Sequence, residues 1–147
     1  MVFRGNSPAK IDSQGRLKIP AAHRSLLEQE YGRELYVTSL TGANVLIYPL
    51  REWELIEDKL LEPPKMQPAK MRFVRNTAYY GQLATLDRQG RVVIQAHLRE
   101  AASVAGEVAV IGYLNYLEVW NHEHFQELLR SRPYSDDDAV ALAELGL

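Results

Sequence analysis

The chain has 147 residues, of which 46% are hydrophobic and 24% are charged, as is typical of a globular protein. It contains no cysteine, which excludes disulfide bonds and thiolate chemistry. No apolar run approaches the ~18 residues of a membrane helix, and the N-terminal sequence turns polar at Arg4, unlike a signal peptide, so we expect a cytoplasmic protein without a membrane partner.

One segment of the chain occurs twice. Residues 9–24 align with residues 84–99, and 8 of the 16 positions are identical, including those of an Asp-x-x-Gly-Arg element. Such a repeat indicates two copies of one structural unit. Each copy has roughly 70 residues, a size at which a single core is marginally stable. We therefore expect the two copies to bury each other's apolar faces in one fused body.

In the first copy, residues 5–50, the repeated element is predicted to form a tight turn. Asp12 can accept hydrogen bonds from its own backbone, and Gly15 tolerates a positive φ. Pro20 suits the first turn of a helix, and Gly32 its end. In chain order we predict strands 9–11 and 16–19, a helix over 21–29, strands 35–38 and 45–48, and a helix over 50–62.

The second copy, residues 77–121, is predicted to follow the same plan after a linker over 62–68 and a helix over 69–80. Its turn is Asp87–Gly90, and Asn121 can cap the helix that follows the copy. The predicted elements are strands 83–86 and 91–94, a helix over 96–105 that Gly106 ends, strands 108–111 and 116–120, and a helix over 121–131. Residues 132–147 form an acidic tail in which 136–145 can be a short helix.

The net charge of −2 conceals an alternation that follows the repeat. Residues 1–24 carry a net charge of +4 and residues 25–64 of −5, whereas residues 65–99 carry +6 and residues 100–147 carry −7. If the fold brings the two basic segments together, they form a basic patch on an acidic protein. Polyanion binding depends on such a patch and not on the net charge.

The repeated Asp-x-x-Gly-Arg element can have two roles. The turn brings Asp12 near Arg16, and Asp87 near Arg91, so that each carboxylate can hold its arginine by a charge-assisted pair. An arginine held in this way presents a planar donor fork that matches phosphate oxygens and the edge of guanine. The alternative is that both arginines only pin their own turns, and the spacing alone does not decide between the two.

Several motifs in fixed order resemble the MraZ family of bacterial transcriptional regulators. They are Phe3-Arg-Gly, residues 12–20 (Asp-Ser-Gln-Gly-Arg-Leu-Lys-Ile-Pro), residues 46–53 (Leu-Ile-Tyr-Pro-Leu-x-x-Trp), residues 87–91 (Asp-Arg-Gln-Gly-Arg) and Leu98-Arg-Glu. The resemblance implies an α+β fold, mainly a β barrel with flanking helices. In it, two tandem AbrB-like swapped-hairpin repeats are related by a pseudo-two-fold axis and fused into one body.

The resemblance also implies a function and a set of site residues. The family is known for closed ring oligomers that bind double-stranded promoter DNA of the division and cell wall gene cluster, so we expect a nucleoid-associated homo-oligomer. Arg16 has the strongest claim to bind DNA. The remaining DNA-binding candidates are Lys18, Arg4, Arg24 and Arg91, and the motif-shaping residues are Asp12, Gly15, Asp87 and Gly90.

The chain departs from the family pattern at a few positions. Gln14 stands where many members have lysine, which removes one phosphate contact if the position faces DNA. The second copy has Gln95 and Val93 where the first has Pro20 and Lys18. The second copy is therefore predicted to be less suited to contacting DNA, with Arg91 chiefly shaping the body.

Other chemistry finds no support in the sequence. His122 and His124 are two residues apart, so on a helix they point to different faces and are poor co-ligands for a metal. The serines lack the framing glycines and paired base of a nucleophile, and no phosphate-binding glycine loop is present. We predict no enzyme, no metal and no cofactor. The alternative to DNA regulation is an AbrB-like protein-interaction module of antitoxin type, in which the repeated motif is structural.

Overall fold

The computed structural model describes residues Met1–Leu147, which form eight strands and six helices. The strands are β1 (Asn6–Ile11), β2 (Arg16–Lys18), β3 (Glu34–Thr38), β4 (Val45–Pro49), β5 (Gln82–Thr85), β6 (Arg91–Val93), β7 (Gly106–Tyr113) and β8 (Tyr116–Trp120). The helices are α1 (Ala21–Leu26), which continues as a π-helical segment over Leu27–Tyr31, α2 (Leu50–Leu61), α3 (Pro68–Tyr79), α4 (Ala96–Ala102), α5 (His122–Ser131) and α6 (Asp136–Ala143).

The strands form one antiparallel sheet in the order β5-β3-β4-β8-β7-β1-β2-β6. Every strand of the first half pairs with a strand of the second half: β1 with β7, β2 with β6, β3 with β5, and β4 with β8. The halves therefore interleave. This arrangement confirms the predicted α+β fold, a mainly β barrel with flanking helices in which two swapped-hairpin repeats form one body.

The turn between β5 and β6 brings the two edges of the sheet together and leaves the barrel nearly closed. The Asp87 N–H donates to the Arg91 carbonyl at 2.9 Å, as the Asp12 N–H does to the Arg16 carbonyl at 3.0 Å in the first half. The Leu86 N–H donates across to the Arg33 carbonyl at 2.9 Å. No strand pairing joins β5 to β6, so this turn alone links the two ends of the strand order.

The period-two pattern of the strands fills the barrel with apolar side chains. Leu17 and Val92 are buried inside it, whereas their neighbours along β2 and β6 point outward. The core is shared by both halves, since Ile47 of β4 and Leu117 of β8 belong to the same buried cluster. Neither half has a closed core of its own, and burial of this shared core is the main favourable term in folding.

Helices α2 and α3 pack outside the barrel through an aromatic stack. The Trp53 ring lies 4.7 Å from the ring of Tyr36 on β3 and 6.1 Å from the ring of Phe73 on α3. The end of α3 is fixed to β3, because the Thr77 carbonyl accepts hydrogen bonds from the Tyr36 hydroxyl at 3.0 Å and from the Thr38 hydroxyl at 2.7 Å. None of the six helices has the length and apolar character needed to cross a membrane.

Several element boundaries differ from the sequence prediction. The helix predicted over 96–105 ends at Ala102, because Ser103 adopts a left-handed conformation with a φ of 55°. Gly106 therefore does not end that helix and instead begins β7. Strand β1 starts at Asn6, three residues earlier than predicted, since pairing with β7 begins there. Helix α6 forms behind a Ser135 capping box, and none of its residues is buried.

Candidate nucleic-acid interface

The pairing of β2 with β6 places basic side chains of both halves on one outer face. In the register of the pair, Leu17 lies opposite Val92, Arg16 opposite Val93, and Lys18 opposite Arg91. Because alternate residues of a strand point to opposite faces, the buried Leu17–Val92 pair directs the other four side chains outward. We call Arg16, Lys18, Arg91 and Val93 the β2–β6 face.

Asp12 forms the turn that leads into this face and also orients Arg16. One carboxylate oxygen accepts the backbone N–H groups of Gln14 at 3.0 Å and Arg16 at 2.9 Å. The other oxygen accepts the Arg16 Nε–H at 2.7 Å. These bonds, led by the one from the Arg16 backbone, hold the pKa of Asp12 below its usual value. Asp12 is therefore ionised at neutral pH and fixes the direction of the arginine.

The second turn reproduces this geometry. Asp87 accepts the backbone N–H groups of Gln89 at 2.8 Å and Arg91 at 2.9 Å, and the Arg91 Nε–H at 3.0 Å. The hydrogen bond from the Arg91 backbone N–H is again the main reason why the pKa of Asp87 is lowered. Both copies of the motif are thus preformed, and in both the guanidinium is held at Nε only.

Both arginines keep their terminal nitrogens available. Neither Arg16 nor Arg91 makes a second side-chain hydrogen bond within the protein. The Arg16 side chain is 32% exposed and the Arg91 side chain 27% exposed. A guanidinium pinned at Nε still offers its outer edge to a planar or bidentate acceptor. The geometry therefore supports both roles considered for the motif, ordering the turn and binding a ligand. The arginine Nε orders the turn, while the two terminal nitrogens remain free to donate to a ligand.

The two turns are also joined to each other across the pseudo-two-fold axis. Gly15 and Gly90 have φ values of 81° and 77°, which only glycine adopts without strain. The Gly15 carbonyl accepts the Ile94 N–H at 2.9 Å, and the Gly90 carbonyl accepts the Ile19 N–H at 2.9 Å. Each turn is therefore held by the backbone of the opposite half.

An arginine from the opposite half covers each of these glycines. A Cβ added at Gly15 would lie 2.7 Å from the Arg99 guanidinium carbon, and one at Gly90 would lie 2.7 Å from Arg24 Cδ. Arg99 donates from Nε to the Ile94 carbonyl at 2.9 Å. Arg24 donates to Glu28 at 2.9 Å and to the Arg88 carbonyl at 2.8 Å. Arg24 therefore hydrogen-bonds across to the second turn, whereas Arg99 packs against Gly15 of the first turn and hydrogen-bonds within its own half.

The structure brings together only some of the predicted DNA-binding residues. Arg16, Lys18 and Arg91 share the β2–β6 face, and Arg24 lies beside it with two of its nitrogens bonded within the protein. Arg4 lies at the far end of β1, where its backbone packs against Gly112. Strand β1, whose 6 residues span about 20 Å, separates Arg4 from Asp12. Arg4 is not part of the β2–β6 face.

Two basic residues near the face were not predicted. Lys10, which is exposed on β1, lines a surface groove together with Lys18. Arg88 is exposed in the second turn, at the position that Ser13 occupies in the first, and its guanidinium makes no hydrogen bond within the protein. Arg88 could have been predicted from the alignment of the two copies. It stands where the first copy has Ser13, and an arginine in place of a serine adds a positive charge to an exposed turn.

The structure contains no group of three or more histidine, cysteine, aspartate or glutamate side chains that could hold a metal ion. His122 and His124 lie on the first turn of α5. The pairs Asp12–Arg16 and Asp87–Arg91 are ion pairs at the surface and do not line a closed cleft. The β2–β6 face is an open, basic surface on which Asp12 and Asp87 already orient the arginine hydrogen-bond donors.

Comparison with known proteins gives a consistent family assignment. Residues 2–76 and 81–143 match the family described as "MraZ protein, putative antitoxin-like", one match for each half. A transcriptional regulator MraZ of Acidobacterium capsulatum is 46% identical over 146 residues, which cover 99% of this chain and 100% of that protein. The transcriptional regulator MraZ of Koribacter versatilis is 43% identical over 147 residues, covering 99% of this chain and 100% of that protein. The chain belongs to the MraZ family.

Proposed function

We propose that the chain is a sequence-specific DNA-binding transcriptional regulator that contacts promoter DNA through the β2–β6 face. The observation that carries this proposal is the cross-strand set Arg16, Lys18 and Arg91, with the motif arginines preoriented by Asp12 and Asp87. Arginine forks read guanine edges and grip phosphates, and lysine adds a point charge for phosphate. The names of the relatives as transcriptional regulators support the same function.

The two halves contribute differently to this face. The first half supplies Lys18, where the second has the exposed Val93. The second half supplies Arg88, where the first has Ser13. In addition to the motif arginines, Lys18 lies on the face, Lys10 of the first half lies beside it, and Arg88 lies in the second turn next to it. The prediction that the second half is less suited to contacting DNA, with Arg91 chiefly shaping the body, is replaced, in this proposal, by a face to which both halves contribute.

The proposed assembly is a closed homo-oligomeric ring, acting at the nucleoid on promoters of the division and cell wall gene cluster that includes its own gene. One protomer neutralises few phosphates, so its binding is weak and sensitive to salt. A ring repeats the face at fixed spacing and gains affinity by engaging several promoter sites at once. In this role the protein is a regulator and not an enzyme.

The central test is Arg16→Ala in a promoter retardation assay with DNA from upstream of the protein's own gene. If the fork contacts a guanine edge, its removal costs about 1–3 kcal/mol of discrimination against the wrong base, and if it contacts a phosphate, its removal weakens binding to all sequences. We expect the retarded band to be lost at concentrations at which the wild type binds, while gel filtration shows the same assembly.

Arg132→Ala serves as the matched control, because Arg132 is exposed, makes no ion pair and lies outside the β2–β6 face. The control removes the same charge from the protein and is expected to bind the promoter as the wild type does. Equal retardation by wild type and Arg16→Ala would remove Arg16 from the proposed site.

A second candidate function is an antitoxin-type protein-interaction module. The Nε bonds of both motif arginines favour it, since they show that the arginines order their own turns. The salt dependence of binding separates the two functions. A DNA-binding face loses affinity steeply with salt, with a slope of log affinity on log salt of about −0.9 for each phosphate neutralised. Absence of any DNA binding, together with capture of a protein, favours the second function.

A further inference from the structure

A row of three cations crosses the sheet from β1 to β6 and extends beyond the β2–β6 face. Strands β1 and β2 pair with Ile11 opposite Leu17. Because the pairing is antiparallel, Lys10 before Ile11 and Lys18 after Leu17 also lie opposite each other. On the other side of β2, Lys18 lies opposite Arg91 of β6. We call Lys10, Lys18 and Arg91 the cationic row.

The members of the cationic row have few partners within the protein. Lys10 and Lys18 are exposed and line one surface groove of about 300 Å³. Neither lysine is in an ion pair, although the register places Glu107 of β7 opposite Lys10. Arg91 is bonded to Asp87 through Nε only, so its terminal nitrogens stay free. The row therefore presents unneutralised positive charge to the outside.

The lysine pair of this row works against folding. Like charges directly opposite each other in a sheet repel and lower its stability. A dense group of such charges on an open surface attracts a polyanion. Neighbouring strands lie about 4.8 Å apart, so the row spans about 10 Å, which is the axial rise of about three nucleotides of one DNA strand.

The equivalent residues of the second half lack both lysines. Thr85 stands where the first copy has Lys10, and its hydroxyl donates to Glu34 at 3.2 Å. Val93 stands where the first copy has Lys18, and it is 50% exposed. The second half forms the same strands without the lysine pair, so the fold does not require that pair.

We infer, on the basis of the proposed function, that the cationic row binds consecutive phosphates of the DNA backbone and that Lys10 is a further DNA-binding residue. A lysine binds phosphate as a point charge, and phosphate contacts carry no sequence information. The row therefore adds affinity for DNA of any sequence, whereas selectivity is left to the arginine forks. Because only the first half carries the lysine pair, the protein holds the backbone more strongly on that side.

Lys10→Thr tests this inference, since threonine is the residue that the second half has at this position. In fluorescence anisotropy over a salt series, we expect the slope of log affinity on log salt to become less steep by about 0.9. In Lys10→Thr with Lys18→Val, the change is expected to be about 1.8. The ratio of the affinities for promoter and random duplexes is expected to stay that of the wild type, because both have the same phosphates.

The stability of the variant separates a binding role from a structural one. Lys10→Thr relieves the repulsion from Lys18, so its urea midpoint is expected to be no lower than that of the wild type. Lys65→Thr is the matched control, because Lys65 is exposed in the turn before α3 and lies outside the cationic row. The control removes the same charge and is expected to keep the wild-type slope.

A wild-type slope in Lys10→Thr overturns the inference, and a lowered urea midpoint with that slope makes Lys10 a structural residue. An equal change of slope in Lys65→Thr overturns it in favour of a net-charge effect. A changed ratio between promoter and random duplexes overturns it as well, because Lys10 then reads a base. In all three results the wild type binds its promoter, so the proposed function stands. Absence of DNA binding by the wild type removes the proposed function and the inference together.

Discussion

His23 shows how one residue of the repeat diverged without loss of the fold. It aligns with Leu98 of the second copy, and both positions are buried, at 4% and 0% exposure. The His23 ring meets the Phe3 ring edge-on at 5.7 Å, and its Nε2 has no hydrogen-bond partner. Burial lowers the pKa of His23, because the charged ring is poorly solvated there. The fold therefore holds His23 in its neutral form.

The pH dependence of stability follows from this shift. An unfolded histidine takes up a proton below about pH 6.5, whereas folded His23 does so only at lower pH. The unfolded state then binds more protons, so the free energy of unfolding falls as the pH drops below about 6.5 and is insensitive to His23 above it. We expect the urea midpoint of the wild type to be lower at pH 5.5 than at pH 7.5.

The variant His23→Leu, which copies the second half, is the matched comparison. It is expected to remove most of the drop in midpoint between pH 7.5 and pH 5.5. Asp12, Asp87 and Glu28 have lowered pKa values and lose their stabilising ionisation only at more acidic pH, so they do not interfere in this range. An identical drop in wild type and variant would show that other groups govern the transition.

At the scale of the element, β2 and β6 differ in charge at one outward-facing position, which is Lys18 in β2 and Val93 in β6. Val93 lies opposite Arg16 and is 50% exposed, while the equivalent Lys18 lies opposite Arg91. Val93→Lys would complete the two-fold charge pattern. If the face binds DNA, the added cation makes the slope of log affinity on log salt steeper by about 0.9.

Fluorescence anisotropy over a salt series measures this slope. We expect tighter binding by Val93→Lys than by the wild type at low salt, with the two affinities converging as salt rises. Val140→Lys supplies the same charge on α6, outside the face, and is expected to leave the slope unchanged. Equal slopes in Val93→Lys and the wild type would place this position away from the phosphates.

The sequence predicted the local elements better than the contacts between them. The turns at Asp12–Gly15 and Asp87–Gly90 follow from residue chemistry, and the repeat pointed to a fused two-copy body. The packing of Arg24 on Gly90 and of Arg99 on Gly15 could not be predicted, because each glycine lies in the opposite half of the chain from its arginine. Ser103 was missed because a left-handed serine has no local signal comparable to that of glycine.

At the scale of the whole molecule, the interleaved strands make the two halves one cooperative unit. Since each strand of one half pairs with the other half, neither half can satisfy its backbone hydrogen bonds alone. We expect fragments 1–62 and 68–147 to be unfolded when separate and to gain sheet structure when mixed, as measured by circular dichroism.

The two tryptophans can test this cooperativity in the intact chain, since Trp53 lies on α2 in the first half and Trp120 on β8 in the second. The variants Trp53→Phe and Trp120→Phe each leave one reporter. In each variant the fluorescence and circular dichroism transitions in urea are expected to coincide, as a two-state transition requires. A reporter that changes before the backbone signal would reveal a half that unfolds independently.

The joining of the two halves in one chain has a consequence for the operator that the proposed function implies. A homodimer with two identical turns is matched to a palindrome, because its symmetry is copied into the DNA. Here the two halves belong to one chain, so a substitution in one turn is not repeated in the other. The two turns already differ, because the first has Ser13 where the second has Arg88. If the β2–β6 face binds DNA as proposed, the fused chain can read two different half-sites in a fixed order, and the bound protein then has a direction along the promoter.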